Sequence, residues 1–204
     1  MREAAGIVGL LLAAGRGTRF HPSGQVSKLL IAAPTGPHAG APVAVAAARS
    51  LRAGLQRVVA VLRPADSPAQ RELHRLLAAE GCELVLNPHA DDGIGGSLAA
   101  GVAASREASG WLVALADMPA IRADTVRRVR DALIAGGPTA APYFAGQRGH
   151  PVGFAAPLRE ALLALRGDAG ARALLQAHPP SRVEVDDAGC CLDLDTPDDV
   201  ARAR

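Results

Sequence analysis

Apolar runs of strand length alternate along the chain with segments whose apolar residues recur at helical spacing. The apolar runs predict β-strands at residues 7–13, 57–62, 83–86, 111–116, 139–144, 152–154 and 182–185. The helical spacing predicts α-helices at residues 43–54, 68–80, 97–105, 125–135, 157–165, 171–178 and 196–203. Continuous apolar strands separated by helices are typical of an α/β fold, in which helices cover both faces of a mostly parallel sheet. Because no linker or internal repeat interrupts the pattern, we expect residues 1–204 to form a single domain.

Glycine-rich or acidic segments follow several of the predicted strands. They are the glycine loop after Ala13, residues 91–96, residues 117–119 and the acidic segment near the C-terminus. Ligands bind at the carboxyl ends of the strands in sheets of this kind. We therefore expect these segments to converge on one cleft.

The composition narrows the classes of partner that the protein can have. The formal net charge is only +2 and aromatic residues make up 2% of the chain, so neither charge nor stacking side chains favour nucleic acid binding. No apolar run approaches the length of about 18 residues that a membrane span needs, and the short run at 7–14 lacks the features of a signal peptide. The cysteines, Cys82, Cys190 and Cys191, have no metal-ligand spacing. We therefore expect free thiols and a cytoplasmic protein.

Lys28 is the only lysine in a chain that contains 22 lysine and arginine residues in total. It follows a glycine-rich loop with Gly15, Gly17 and Arg19, whose backbone amides can approach phosphate closely. An ammonium group is a compact point charge and the guanidinium is a planar fork, so a single lysine here predicts a contact that arginine does not replace. The loop is not a dinucleotide fingerprint, because Phe20 stands where the third glycine would be, and it is not a P-loop. We predict phosphate binding by this loop with Arg19 and Lys28; a simple turn after the strand is the alternative.

Acidic side chains stand at two further places. Asp117 ends the fourth predicted strand, and carboxylate oxygens suit Mg²⁺. The structural alternative for Asp117 is a cap or turn residue. Asp193 and Asp195 are two residues apart, so in a strand both face the same side. The acids that follow them are explained by the first turn of the predicted C-terminal helix. The sequence thus predicts a metal site at Asp117 with either Asp193 or Asp195.

Two polar loops flanked by glycines, at 146–151 and 167–172, complete the candidate chemistry. The first contains Gly149 and His150, which are hard to explain as a mere turn. His150 is either a contact to a substrate or a histidine whose hydrogen bonds are structural.

Taken in order, these blocks resemble the nucleotidylyltransferases that activate molybdopterin. The blocks read LAAGRGTRF at 12–20 with Lys28 following, DGIGGSLAAG at 92–101, LADMP at 115–119, GQRGHPV at 146–152, GDAGAR at 167–172 and LDTPDD at 194–199. The resemblance covers nearly the whole chain. The loop at 13–15 reads Ala-Ala-Gly, as in the molybdenum cofactor cytidylyltransferase branch, whereas the guanylyltransferase branch tends to have Ala-Gly-Gly. The segment between Phe20 and Lys28 is longer than the usual form of the family.

The resemblance implies a three-layer, Rossmann-like nucleotidyltransferase fold. It implies Mg²⁺-dependent transfer of a nucleotidyl group, CMP in this branch, from CTP or another nucleoside triphosphate to the phosphate of molybdopterin, with release of pyrophosphate. Arg19 and Lys28 would bind the triphosphate, and Asp117 would hold the metal ion with Asp193 or Asp195. The residues implied for nucleotide binding are Ala13, Ala14, Gly15, Gly17, Arg63, Gly95, Gly96 and Ser97. Those implied for the acceptor are Gly149, His150 and Asp168, and a client molybdoenzyme is a further partner that the family allows.

Two alternatives stay open. The acceptor could be another phosphorylated molecule, such as a sugar or alcohol phosphate, or the chain could be a non-catalytic module that binds nucleotide and delivers the cofactor. The combination of Lys28, Asp117 and the C-terminal acids favours an enzyme. A dehydrogenase is disfavoured because the third glycine is missing and residues 33–42 contain no Asp or Glu for a ribose site.

Overall fold

A computed structural model describes residues 5–20 and 27–203 of the protein. Its strands are β1 (Ala5–Leu12), β2 (Arg57–Leu62), β3 (Glu83–Leu86), β4 (Ala108–Leu115), β5 (Thr139–Phe144), β6 (Gln147–Arg148), β7 (Val152–Ala155) and β8 (Ser181–Glu184). Its helices are α1 (Val43–Arg52), α2 (Pro68–Ala79), α3 (Ile94–Ala104), α4 (Ala123–Ile134), α5 (Arg159–Leu163), α6 (Arg172–Ala177) and α7 (Pro197–Arg202). Short 3₁₀ helices lie at Ala90–Asp92, Ala156–Leu158 and Ala188–Cys191. Every predicted strand and helix has a counterpart, with bounds that differ by a few residues.

The strands form one eight-stranded sheet in the order β3-β2-β1-β4-β7-β5-β6, and β8 pairs with β5. β1 is parallel to β2 and β4, β2 is parallel to β3, and β8 is parallel to β5. β7 is antiparallel to both of its neighbours, and β6 is antiparallel to β5. The sheet is therefore mixed but mostly parallel, which confirms the fold class predicted from the sequence.

Helices cover both faces of the sheet. Successive residues of a strand point to opposite sides, so a continuously apolar strand presents apolar side chains to both faces. Leu11 packs on one face with α1, α2 and α4, whereas Leu10 packs on the other with α3 and α5. The α3 helix approaches the sheet closely, since a Cβ atom on Gly101 would lie 2.9 Å from a methyl carbon of Val61. Small residues at such contacts let the core close with few aromatic side chains. The result is the expected three-layer arrangement.

Two local elements differ from the sequence prediction. Residues 147–148 form the short strand β6, where a polar loop was expected, because Ala145 and Gly146 adopt the positive φ angles of 49° and 81° that a tight hairpin turn requires. An exposed two-residue strand has no apolar run by which it could be detected. The α3 helix begins at Ile94 and not at 97, because glycines in its first turn carry no periodic apolar signal.

No helix within the described part of the chain has the length and the apolar character to cross a membrane.

A buried carboxylate fixes the course of the chain near the C-terminus. Asp187 accepts hydrogen bonds from the backbone N–H of Arg122 at 2.9 Å, the hydroxyl of Thr125 at 2.6 Å and the backbone N–H of Gly189 at 3.0 Å. Beyond this turn, the backbone N–H of Leu194 donates to the carbonyl oxygen of Asp117 at 3.0 Å. The start of α4 thereby holds the C-terminal segment across the carboxyl end of β4.

We expect Asp187→Ala to lower the free energy of unfolding by about 3 kcal/mol, because its buried donors would lose their acceptor. Asp186→Ala removes the exposed neighbouring carboxylate and should change this free energy by about 0.5 kcal/mol at most. Urea denaturation followed by circular dichroism measures both changes. Similar losses in the two variants would contradict the role given to Asp187.

Candidate functional site

A cleft of about 610 Å³ opens at the carboxyl ends of β1 and β4. The loop after β1 forms one wall. Residue 63 after β2 forms another together with residues 90, 91, 93, 94 and 97, and the C-terminal segment borders the end of β4. In the strand order, β1 lies between β2 and β4, so the cleft lies at the point where the order of connection reverses. Open α/β sheets bind their ligands at this point.

One ammonium group joins two carboxylates in the cleft. The Nζ atom of Lys28 lies 2.6 Å from Oδ2 of Asp117 and 2.8 Å from Oδ1 of Asp195. Arg19 approaches the other oxygen of Asp195 at 2.6 Å. The Lys28 side chain is only 13% exposed, whereas that of Arg19 is 76% exposed. Burial by itself would lower the pKa of Lys28, but the carboxylates of Asp117 and Asp195 outweigh it and raise that pKa, so Lys28 stays an ammonium.

Asp117 retains one oxygen that could accept a metal ion. Its Oδ1 atom is buried and has no hydrogen-bond partner within residues 5–20 and 27–203. No group of three His, Cys, Asp or Glu side chains forms a metal-binding set in these ranges, although Asp193 borders the same cleft. Mg²⁺ usually needs only one or two protein carboxylates, since substrate phosphates and water supply the remaining ligands. Asp117 and Asp195 therefore fit a metal ion that binds together with a phosphate substrate.

A second cluster of charges lines the same cleft. Asp91 accepts hydrogen bonds from Nε of Arg16 at 2.6 Å and from a terminal nitrogen of Arg63 at 2.8 Å. These two guanidinium groups hold the pKa of Asp91 well below its usual range. The Nε atom of Arg63 also donates to the carbonyl oxygen of Ala14 at 3.0 Å. Asp91 thus links the loop after β1 to the end of β2.

Gly93 and Gly95, at the start of α3, pack closely against the backbone of residues 166–168. Gly93 has a φ of 108°, and a Cβ atom there would lie 2.3 Å from the backbone of Gly167. The backbone N–H of Gly95 donates to the carbonyl oxygen of Gly167 at 2.9 Å. This close approach holds Asp168 at the cleft. Ser97, which also lines the cleft, is buried and accepts a hydrogen bond from the side-chain amide of Asn87 at 3.1 Å.

Gly149 and His150 do not line the cleft. A Cβ atom on Gly149 would lie 2.3 Å from the carbonyl oxygen of Cys190, and the backbone N–H of His150 donates to that oxygen at 2.8 Å. Burial lowers the pKa of His150, so the imidazole is neutral near pH 7. Its Nδ1 atom lies 3.4 Å from the carbonyl oxygen of Val113. These contacts match the structural alternative for His150 and hold the turn that precedes Asp193.

Most of the site residues expected from the sequence meet at this one cleft. Those that line it are Ala13, Ala14, Gly15, Gly17, Arg19, Lys28, Arg63, Ser97, Asp117, Asp168, Asp193 and Asp195. Those that do not are Gly95, Gly96, Gly149 and His150. Arg16 and Asp91 also line the cleft, although neither is among the site residues expected from the sequence. The signals that could have identified them are the position of Arg16 between two glycines and that of Asp91 two residues before Gly93.

Comparisons with known proteins agree with the observed fold. The chain is 31% identical over 205 residues to nicotine blue oxidoreductase of Paenarthrobacter nicotinovorans. The aligned region covers 96% of this chain and 95% of that protein. It is similar in structure to Rv0371c of Mycobacterium tuberculosis H37Rv, with 27% identity, 97% coverage of both chains and a TM-score of 0.79. A second crystal structure of Rv0371c, in complex with manganese, has 28% identity, 97% coverage of both chains and a TM-score of 0.73. The family model described as a MobA-like NTP transferase domain matches residues 9–183. With most of its length matched by this model, the chain belongs to the family of MobA-like NTP transferase domains.

Proposed function

We propose that the protein is a Mg²⁺-dependent nucleotidyltransferase that moves CMP from CTP to the phosphate of a molybdopterin-type acceptor and releases pyrophosphate. The observation that carries this proposal is the centre formed by Lys28, Asp117 and Asp195, which line the cleft. Family membership supports nucleotidyl transfer as the class of reaction. The choice of CTP and of the acceptor rests on the resemblance described for the loop at 13–15 and for the later blocks.

The residues of the cleft suit a reaction that needs no nucleophile from the protein. The acceptor phosphate is already anionic and attacks the α-phosphorus in line, so the protein has to position two substrates and stabilise negative charge. Lys28 and Arg19 are the cations nearest to the carboxylate centre. A bound divalent ion would neutralise charge on the phosphate oxygens. Asp117 and Asp195 are the residues that would hold it.

A divalent ion has independent support. The crystal structure of Rv0371c with manganese comes from a protein that is 28% identical over 97% of this chain. In the present protein the buried Oδ1 atom of Asp117 has no hydrogen-bond partner among the described residues. A buried acceptor without a partner is costly, which favours a ligand at this oxygen.

A redox reaction is the second candidate function. The relative that is 31% identical over 96% of this chain is named nicotine blue oxidoreductase. Arg63 directly follows β2, and Rossmann sheets that bind NADP carry an arginine near this position. Hydride transfer, however, gives no role to the ammonium and carboxylates around Lys28. Nucleotidyl transfer therefore remains the first candidate.

We expect purified protein with Mg²⁺ to release pyrophosphate from CTP only when molybdenum-loaded molybdopterin is present. ATP, GTP and UTP serve as the comparison, and sugar and alcohol phosphates serve as alternative acceptors. In parallel, NADH and NADPH are tested as hydride donors to nicotine blue. Release with another acceptor would correct the substrate and keep the reaction class. Dinucleotide oxidation without any pyrophosphate release would favour the redox function, and nucleotide binding without turnover would favour a delivery module.

We expect Asp117→Asn to lower the rate of pyrophosphate release by about 10²- to 10³-fold, the loss seen when one electrostatic group is removed from a preorganised site. Asp198→Asn is the matched control, because Asp198 is exposed at the start of α7 and does not line the cleft. Initial rates at saturating CTP measure both effects. A folded Asp117→Asn protein with full activity would remove Asp117 from the metal site.

We expect Lys28→Arg to lower the same rate by about 10²-fold although the charge is kept, because a guanidinium cannot replace an ammonium that contacts two carboxylates at one point. Arg19→Lys makes the reverse change at an exposed side chain and should cost less than about 10-fold. Rates comparable to the unmodified protein for Lys28→Arg would mean that the lysine has no special role.

A further inference from the structure

The position of the Lys28 ammonium coincides with the position that a bridging metal ion would take. Nζ contacts one oxygen of Asp117 at 2.6 Å and one oxygen of Asp195 at 2.8 Å. A Mg²⁺ ion lies about 2.0–2.1 Å from its oxygen ligands. An ion that joined these two oxygens would therefore occupy nearly the same space as the ammonium, and the two positive charges would repel each other. Lys28 and a bridging ion exclude each other at this carboxylate pair.

The exchange can take place by movement of the lysine side chain alone. The next residue, Leu29, is buried, and its carbonyl oxygen accepts a hydrogen bond from the backbone N–H of Ala44 in α1 at 3.0 Å. The backbone beside Lys28 is thus fixed to the core. The four-carbon stem of lysine is flexible, and its compact ammonium does not need the fixed planar orientation that a guanidinium needs to contact a carboxylate. Arginine would grip the carboxylates with several donors and release them less readily.

Both cations that hold Asp195 are the cations expected to bind the triphosphate. Lys28 contacts Oδ1 of Asp195 and Arg19 contacts Oδ2, so each oxygen of this carboxylate is neutralised. Phosphate oxygens offer these cations an alternative partner of higher charge. A triphosphate that attracts Lys28 and Arg19 frees the carboxylate that the metal ion needs. Metal and nucleotide binding are then coupled, and the coupling acts equally in both directions.

We propose that Lys28 is an internal counter-cation that keeps a divalent metal ion from bridging Asp117 and Asp195 until a triphosphate draws the Lys28 side chain away. This inference rests on the proposed function, because it assumes a metal-dependent reaction of a triphosphate. Lys28 acts here as a positioning residue: it sets the order in which the metal ion and the nucleotide become bound.

The test measures binding of Mn²⁺ alone, without nucleotide, by isothermal titration calorimetry and by Mn²⁺ electron paramagnetic resonance. We expect Lys28→Met to bind Mn²⁺ at least about tenfold more tightly than the unmodified protein, the ratio that one charge-assisted hydrogen bond contributes. Arg16→Met is the matched control, since Arg16 lines the same cleft but pairs with Asp91. It should change the affinity by about twofold at most, because salt screens exposed charges.

Melting temperatures give a second measure that does not depend on activity. A ligand that binds only the folded state raises the melting temperature. Mn²⁺ should therefore raise that of Lys28→Met more than that of the unmodified protein. Lys28→Gln, which also removes the charge, should behave in the same way and guards against a folding defect in the methionine variant. In Lys28→Met combined with Asp195→Asn, the gain in Mn²⁺ affinity should disappear.

Mn²⁺ affinity that is unchanged or weaker in both Lys28 variants would overturn the proposal, as would an equal gain in Arg16→Met. The outcome for the proposed function can be told apart from the outcome for the counter-cation. Pyrophosphate release by the unmodified protein together with unchanged Mn²⁺ affinity in the variants would keep the function and reject the counter-cation. A tenfold gain in Mn²⁺ affinity without any pyrophosphate release would keep the counter-cation and reject the function.

Discussion

Two carboxylates that share one ammonium are the constraint on which the rest of this structure depends. Lys28 is 89 residues from Asp117 and 167 residues from Asp195 along the chain. Two half-buried carboxylates repel each other unless a cation lies between them. The three segments that carry Lys28, Asp117 and Asp195 must therefore all be in place for this centre to form. Two interactions hold the C-terminal segment in place. They are the hydrogen bond from the backbone N–H of Leu194 to the carbonyl oxygen of Asp117 and the hydrogen bonds accepted by the buried carboxylate of Asp187. Asp117 is held at the end of β4, and the C-terminal segment places Asp195 on the same ammonium group.

Close backbone contacts shape the cleft around this centre. A Cβ atom on Gly189 would lie 2.2 Å from the carbonyl oxygen of Ala120, and one on Gly93 would lie 2.3 Å from Gly167. Any other side chain at these positions would push the C-terminal turn or the 166–168 turn outward. Glycine is therefore needed where the C-terminal turn and the 166–168 turn pack against neighbouring backbone. This close packing brings the acidic residues of these segments to the cleft.

The layout of the cleft could be predicted from the sequence because it follows from strand polarity. Asp117 ends a buried strand and the glycine loop ends another, and parallel strands bring their carboxyl ends to one edge. The pairing of Asp91 with two arginines could not be predicted, since a surface ion pair leaves no periodic signal. The family resemblance implies ligand contacts for Gly95 and Gly149, and a glycine in a sequence does not reveal which backbone packs against it. Only the structure identifies those neighbours, Arg166 and Cys190.

Charge energetics also bear on the choice between nucleotidyl transfer and a redox reaction on the same fold. A fold by itself does not determine a function, and a buried ion pair adds little stability in return for its desolvation. Asp117 carries the further cost of an oxygen without a partner among the described residues. An apolar residue at this strand end would fold at least as well. The arrangement is explained if a ligand that needs carboxylate oxygens binds there, and a phosphate-bound metal ion has that need, whereas a hydride donor does not.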